Sequence, residues 1–194
     1  MFLQTIAEDE AKGRVAEIYS AQRAQSGMVM EAIRCFTARP DLLPAYMDFV
    51  MQARGNFSLS QRDWRIITFI AARDIPSTYC SHVYGRQLID ELGSRAAVLA
   101  VQRDHRNAGL SERDVAMLDY AEKITRDASR ITIDDIGRLR DAGFSDTQIC
   151  DIALCASFRS FVSRFFDAVG AVPEDAFLDS DEEFRTAMTV GKPI

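Results

Sequence analysis

Four hydroxyl residues punctuate this chain, each followed three positions later by a side chain able to accept a hydrogen bond. The pairs are Ser60 with Asp63, Ser111 with Asp114, Thr132 with Asp135, and Ser145 with Gln148. Each has the form of a capping box, in which hydroxyl and acceptor satisfy backbone N–H groups left unpaired at a helix start. Gly55, Gly93, Gly109, Gly143 and Gly170 stand where helices should stop. No stretch alternates apolar and polar residues between hairpin turns, so strands are not expected. These signals predict an all-α chain, with helices over 8–25, 30–38, 40–54, 60–73, 77–91, 94–103, 111–128, 132–142 and 145–169. LSQRD at Leu59 and LSERD at Leu110 are similar; a shared capping solution explains them as well as duplication does.

Two of these helices should form the centre. IITFIAA, with Trp64 ahead of it, is apolar almost all round, which marks a buried helix. The last long helix gathers Ile149, Ile152, Ala153, Ala156, Phe161, Val162, Phe165 and Val169 on a broad apolar face, opposite Ser157, Ser160, Arg164 and Asp167. The helices ending near Arg73 and starting near Ser77 are joined by Asp74-Ile75-Pro76 alone, which makes them an antiparallel hairpin. Residues equidistant from such a turn lie at similar heights, so Arg65 should approach Tyr84, and Phe69 should approach Cys80.

Composition narrows the function. The 194 residues suffice for one substantial domain. A net charge of −6 argues against nucleic acid and anionic membrane surfaces as partners. No apolar run approaches a membrane span, and the first residues lack the form of a signal peptide, so a cytoplasmic location is expected. The cysteines, Cys35, Cys80, Cys150 and Cys155, form neither C-x-x-C nor a zinc-type spacing and read as free thiols. With His82 and His105 the only histidines, no metal site and no cofactor are expected. Residues 173–194 are read as an extension to a 1–172 helical domain. Its apolar Phe177, Leu178 and Phe184 point either to a short docked helix or to a partly ordered terminus.

The stretch LSQRDWRIITFIAARDIPSTYCSHVYGRQL, from Leu59 to Leu88, resembles the catalytic segment of the alkylhydroperoxidase D-like, carboxymuconolactone decarboxylase superfamily, in particular its peroxidase-related branch. Further similarities follow in order: Ala11-Lys12-Gly13 with Tyr19, VMEAIRCFTARPDLLPAY, LSERDVAMLDY, AGFSDTQI and SFRSFVSRFFDAVG, although Ser160 and Ser163 stand where the family usually has asparagines. The resemblance implies an all-α fold and a homo-oligomer, a trimer or hexamer, with a dimer as the alternative. The family's motif is a glutamate, then C-x-x-C, then a histidine four residues after the second cysteine. Only the second cysteine survives here, as Cys80. Arg65 holds the glutamate position, Ser77 that of the first cysteine, and Tyr84 that of the histidine.

The altered motif cannot run a disulfide cycle of the usual kind. Arginine stays charged and tyrosine is a weak base near neutrality, so Arg65 and Tyr84 cannot relay protons as glutamate and histidine do. The catalytic candidates are therefore Cys80, Tyr84 and His82. Cys80 is either a reactive thiol near a helix start or a packing residue. Tyr84 either orients a substrate or fills the volume of the lost histidine. His82 is either a surface or interface residue or a displaced base. Arg65, Ser77 and Phe69 are the candidates for substrate binding. Arg65 is read as a planar clamp for an organic anion, against the alternative of a salt bridge to a local carboxylate. Ser77 is read alternatively as a helix cap.

The resulting expectation is a small-molecule enzyme with a rebuilt, non-disulfide site that acts on an organic anion by acid/base or nucleophilic chemistry, as a decarboxylase, lactonase or isomerase would. The alternatives are a one-cysteine hydroperoxide reductase using Cys80 and a non-catalytic, ligand-binding oligomer.

Overall fold

The structure, a computed structural model, describes residues 1–194 and is helical throughout. Its ten α-helices are α1 (Gly13–Ser26), α2 (Glu31–Arg34), α3 (Leu43–Gly55), α4 (Gln61–Asp74), α5 (Thr78–Leu92), α6 (Arg95–Asp104), α7 (Glu112–Asp127), α8 (Ile133–Asp141), α9 (Asp146–Val169) and α10 (Glu182–Met188). No strand is present. The caps act as their chemistry requires. Ser60, Thr132 and Ser145 each form a reciprocal box with the residue three positions on. Ser111 accepts from the Asp114 N–H without the return bond.

Three boundaries differ from expectation. A helix running on from residue 8 would have to pass through Gly13, whose φ of +53° is left-handed, so α1 begins there. The expected 30–38 helix tightens into a 3-10 turn, Cys35–Ala38, after a single turn of α2. Residues 40–42 form a turn, and α3 starts at Leu43 with Pro44 in its first turn, where no N–H is needed.

Helix α4 is the axis of the molecule, packed against α5, α7 and α9. Its Trp64, Ile66, Ile67, Phe69 and Ile70 are buried. The α4–α5 turn is closed by Ile75 and Ser77 donating to the carbonyls of Ala71 and Ala72, which holds the two helices antiparallel. Most of the expected apolar face of α9 is buried, namely Ile149, Ile152, Ala156, Val162 and Val169, but Phe161 is 57% exposed, and the buried face also carries Arg159 and Ser163 beside Cys155 and Phe166. Residues four apart share a helix face, so these polar groups are brought inward with their neighbours.

The C-terminal segment docks on its own body. Helix α10 lies against α5 and α6 and buries Phe184 and Met188 completely. Beyond it, the Gly191 N–H donates to Thr78 Oγ1 (3.0 Å), and Thr78 Oγ1 donates to the Lys192 carbonyl (2.8 Å). No helix is long and apolar enough to cross a membrane.

Candidate active site

A cavity of about 510 Å³ opens among α1, α3, α4, α5 and α9. Three of the six candidate residues line it: Cys80 and Tyr84 from α5 and Arg65 from α4. The short hairpin produces this convergence, because it sets the N-terminal turns of α5 beside the body of α4. The rest of the wall is largely apolar, with Met30, Met47, Met51, Tyr46 and Phe166 prominent.

Cys80 lies on the wall almost wholly buried. Its sulfur accepts a hydrogen bond from Ser163 Oγ at 3.3 Å. Burial pushes the thiol above its ordinary pKa, and the nearby Arg159 charge and the Ser163 hydrogen bond oppose that shift only in part. Cys80 is thus a protonated thiol at neutral pH, not a standing thiolate.

Arg65 does not meet Tyr84. Its guanidinium reaches instead to the carboxylate of Glu91, two turns further along α5, and forms an ion pair. With the Gln61 side-chain oxygen turned toward them, Arg54 and Arg65 both donate to it, at 3.3 and 3.2 Å. The cation that does approach Tyr84 is Arg159, a residue absent from the sequence-level candidates. Its guanidinium carbon lies 5.2 Å from the Tyr84 ring centre, 5.3 Å from Trp64 and 5.0 Å from Phe158. Arg159 is only 6% exposed, and its Nε has no hydrogen-bond partner. The ionisable groups that act on it most are Tyr84, Cys155, Cys80 and Tyr46, and it forms no salt bridge with a carboxylate. One sequence signal marks this residue: Cys155, Arg159, Val162 and Phe166 recur at helical spacing, which puts an arginine in register with an apolar face.

The other three candidates lie off the cavity. Phe69 is fully buried in the α4–α5 seam against Gly85. Ser77 begins α5 but makes no cap hydrogen bond. Its hydroxyl lies near Cys80 and Asp167 in hydrogen-bond geometry with neither. His82 is neither at the surface nor beside Cys80. It is fully buried under the C-terminal segment, where Nε2 meets Thr189 Oγ1 at 3.1 Å. Two positions along a helix rotate it about half a turn from the Cys80 face, toward α10.

A larger open groove of about 740 Å³ runs along α7 and α8. Its charges are tied in ion pairs such as Lys123–Asp135 (2.6 Å) and Arg106–Asp119 (2.6 Å). Next to it His105 is buried in a 3-10 turn, with Nε2 2.9 Å from Asp119. His105, Asp119 and Glu122 bring ligand-type atoms within 4.8 Å of one another. Glu122 is already paired with Arg73, Arg106 and Arg126, and those three cations oppose a metal ion there.

Comparison with known proteins settles the fold. The structure superposes on a peroxidase-related protein from Ralstonia eutropha JMP134, described as an alkylhydroperoxidase AhpD core, with a TM-score of 0.83 over 98% of this chain and 97% of that one, at 20% identity. This is the alkylhydroperoxidase D-like fold. A peroxidase-related protein from Silicibacter sp. TM1040 matches with a TM-score of 0.79 over 91% of both chains, at 22% identity. The debrominase Bmp8 shares the AhpD-like fold too, with a TM-score of 0.76 over 95% of this chain and 96% of that one, at 15% identity. No family model and no curated protein matches the sequence.

Proposed function

We propose that this protein is a small-molecule enzyme whose cavity binds an organic anion and whose Cys80 and Tyr84 act on it without an internal disulfide. One observation carries this reading. The uncompensated guanidinium of Arg159 lines the cavity, whose wall carries no carboxylate, in a chain whose net charge is −6. Field lines of one sign in an apolar-walled cleft favour an anionic ligand. Cys80, buried and held toward its thiol form, serves as a proton donor. Tyr84 offers a hydroxyl that orients the ligand. Decarboxylation, lactone opening and isomerisation are compatible with these groups.

Bmp8 supports a planar organic ligand, since a variant of it has been solved in complex with 2,3,4-tribromopyrrole. The one-cysteine peroxidase reading requires a ready thiolate, which the burial of Cys80 opposes. A homo-oligomer remains part of the proposal. Phe49 on α3 and Phe161 on α9 are 45% and 57% exposed at the two ends of a run of aromatic contacts, a face a second copy would cover.

A panel of aromatic acids, lactone acids and halogenated pyrroles, followed by mass spectrometry of the products, tests the reading. Turnover of an acid by the wild type should fall roughly 10²-fold in Cys80→Ser, the size of a lost acid–base group. Full turnover in Cys80→Ser, or no binding of any anion in the panel, would refute it.

A further inference from the structure

The three arginines of the cavity are not equivalent. Arg65 is neutralised by Glu91, and Arg54 is exposed at the rim. Arg159 alone is buried with no counter-charge, and its Nε is left without a partner. A buried cation without a carboxylate is costly, and an unpaired buried polar atom on a residue of a cavity wall points to a partner outside the chain. The surroundings limit what that is. Three ring systems, Trp64, Tyr84 and Phe158, lie 5.0–5.3 Å from the guanidinium carbon. The planar guanidinium fork matches a flat, two-oxygen partner. The single buried charge matches a monoanion. Beyond Arg159 the cavity offers Met30, Met47 and Met51, whose polarisable sulfurs favour an aromatic ring.

We infer that Arg159 is the receptor of an anion subsite for a planar aromatic carboxylate, with the carboxylate on the guanidinium and the ring against the methionine wall beside Cys80. This rests on the cavity being the substrate site, as proposed above. It changes the assignment made from the motif, which gave the anion to Arg65. Arg159 is a binding and positioning residue: it fixes the carboxylate and so sets which ring carbon faces the Cys80 thiol.

The test uses benzoate and its neutral isostere benzamide as probes. Trp64 is the chain's single tryptophan and lies 5.3 Å from the Arg159 guanidinium carbon, so its fluorescence reports occupancy directly. Benzoate should change the Trp64 emission and raise Tm of the wild type, and benzamide should do neither. Arg159→Gln should weaken benzoate binding by roughly one to two decades, with Arg159→Lys restoring it in part. Arg65→Gln should retain the benzoate-specific response. If Arg159→Gln does not fold, the Arg54→Gln/Arg65→Gln double variant decides: persistence of the response supports Arg159, and its disappearance overturns the assignment. Equal responses to benzoate and benzamide, or equal benzoate affinity in wild type and Arg159→Gln, also overturn it. Benzoate binding at Arg159 without turnover of any acid would leave the subsite standing and remove the enzymatic reading. Turnover whose KM is untouched by Arg159→Gln would do the reverse.

Discussion

The guanidinium of Arg159 faces the ring of Tyr84 across 5.2 Å, and no carboxylate shares the space. Tyr84 stands one turn beyond Cys80 on α5, so the cation, the phenol and the thiol form one surface. The unmatched charge has a consequence for stability. Arg159→Met replaces a buried cation by an apolar chain of similar length, a change that is often neutral or stabilising. The unliganded variant should melt no lower than the wild type and up to about 2–4 °C higher, equivalent to about 1 kcal/mol in a domain this size. A lower melting temperature in a well-folded variant would show that the cation–π contacts outweigh the cost of burial.

Arg65 should behave as a structural residue. Its side chain and that of Glu91 are 23% and 20% exposed, so the pair is largely but not fully desolvated. Removing either partner leaves the other short of its counter-ion. Arg65→Ala and Glu91→Ala should each cost about 1–2 kcal/mol, and the double variant should cost less than their sum. Urea unfolding of the four proteins measures this coupling. Strict additivity would mean that the pair contributes nothing.

The four thiols should separate by accessibility. Cys150 is exposed, whereas Cys35, Cys80 and Cys155 are buried. Burial pushes Cys35 and Cys155 up to about 12 and raises Cys80 as well. A disulfide reagent at pH 8 should therefore modify Cys150 rapidly, and the others only as the protein opens. Peptide mapping of the first-labelled site checks this. Fast labelling of Cys80 would restore the one-cysteine peroxidase as the better reading.

His82 makes the C-terminal dock sensitive to acid. Burial, reinforced by the Arg185 charge, lowers its pKa from 6.5 to about 4. The unfolded chain takes up a proton at His82 below pH 6.5 and the folded chain does not until about pH 4, so stability falls as pH drops through that window. The contribution reaches about 3 kcal/mol at most near the lower end. His82→Gln should flatten this part of the stability–pH curve and leave the curve above pH 7 unchanged in slope. An unchanged slope between pH 4 and 6.5 would argue that the tail already opens before His82 is protonated.

What could be read from the residues divides by range. The caps at Ser60, Ser111, Thr132 and Ser145 are local chemistry, three residues long, and they place four of the helix starts. The hairpin follows from three linking residues, and with it the joint placement of Arg65, Tyr84 and Cys80 on one cavity. What escaped depends on distant chain. His82 is held by Thr189, 107 residues away, and nothing near His82 announces that partner. Arg65 turns to Glu91 because an ion pair outcompetes a phenol, and equal height in a hairpin does not choose between them. Arg159 lies among Ser157, Ser160 and Arg164, which read as a solvated stripe, whereas its own register with Cys155 and Phe166 points inward.

Ser77 offers the most direct test of how far the motif has been rebuilt. It is the N-cap residue of α5, buried, with extended backbone at φ −97° and ψ 102°, and its hydroxyl makes no hydrogen bond. A cysteine there recreates C-x-x-C with Cys80 at a helix start, the arrangement that favours a reactive pair. Ser77→Cys should therefore form an internal disulfide on mild oxidation, seen as loss of both thiols from labelling and their return with a dithiol. The same variant should still fail to turn over hydroperoxides. Arg65 is engaged by Glu91, and Tyr84 is no base at neutral pH, so no group draws the proton from the buried Cys80 thiol. Sustained hydroperoxide reduction by Ser77→Cys would mean that a second cysteine is all the site lacks, and that Arg65 and Tyr84 are compatible with the redox cycle after all.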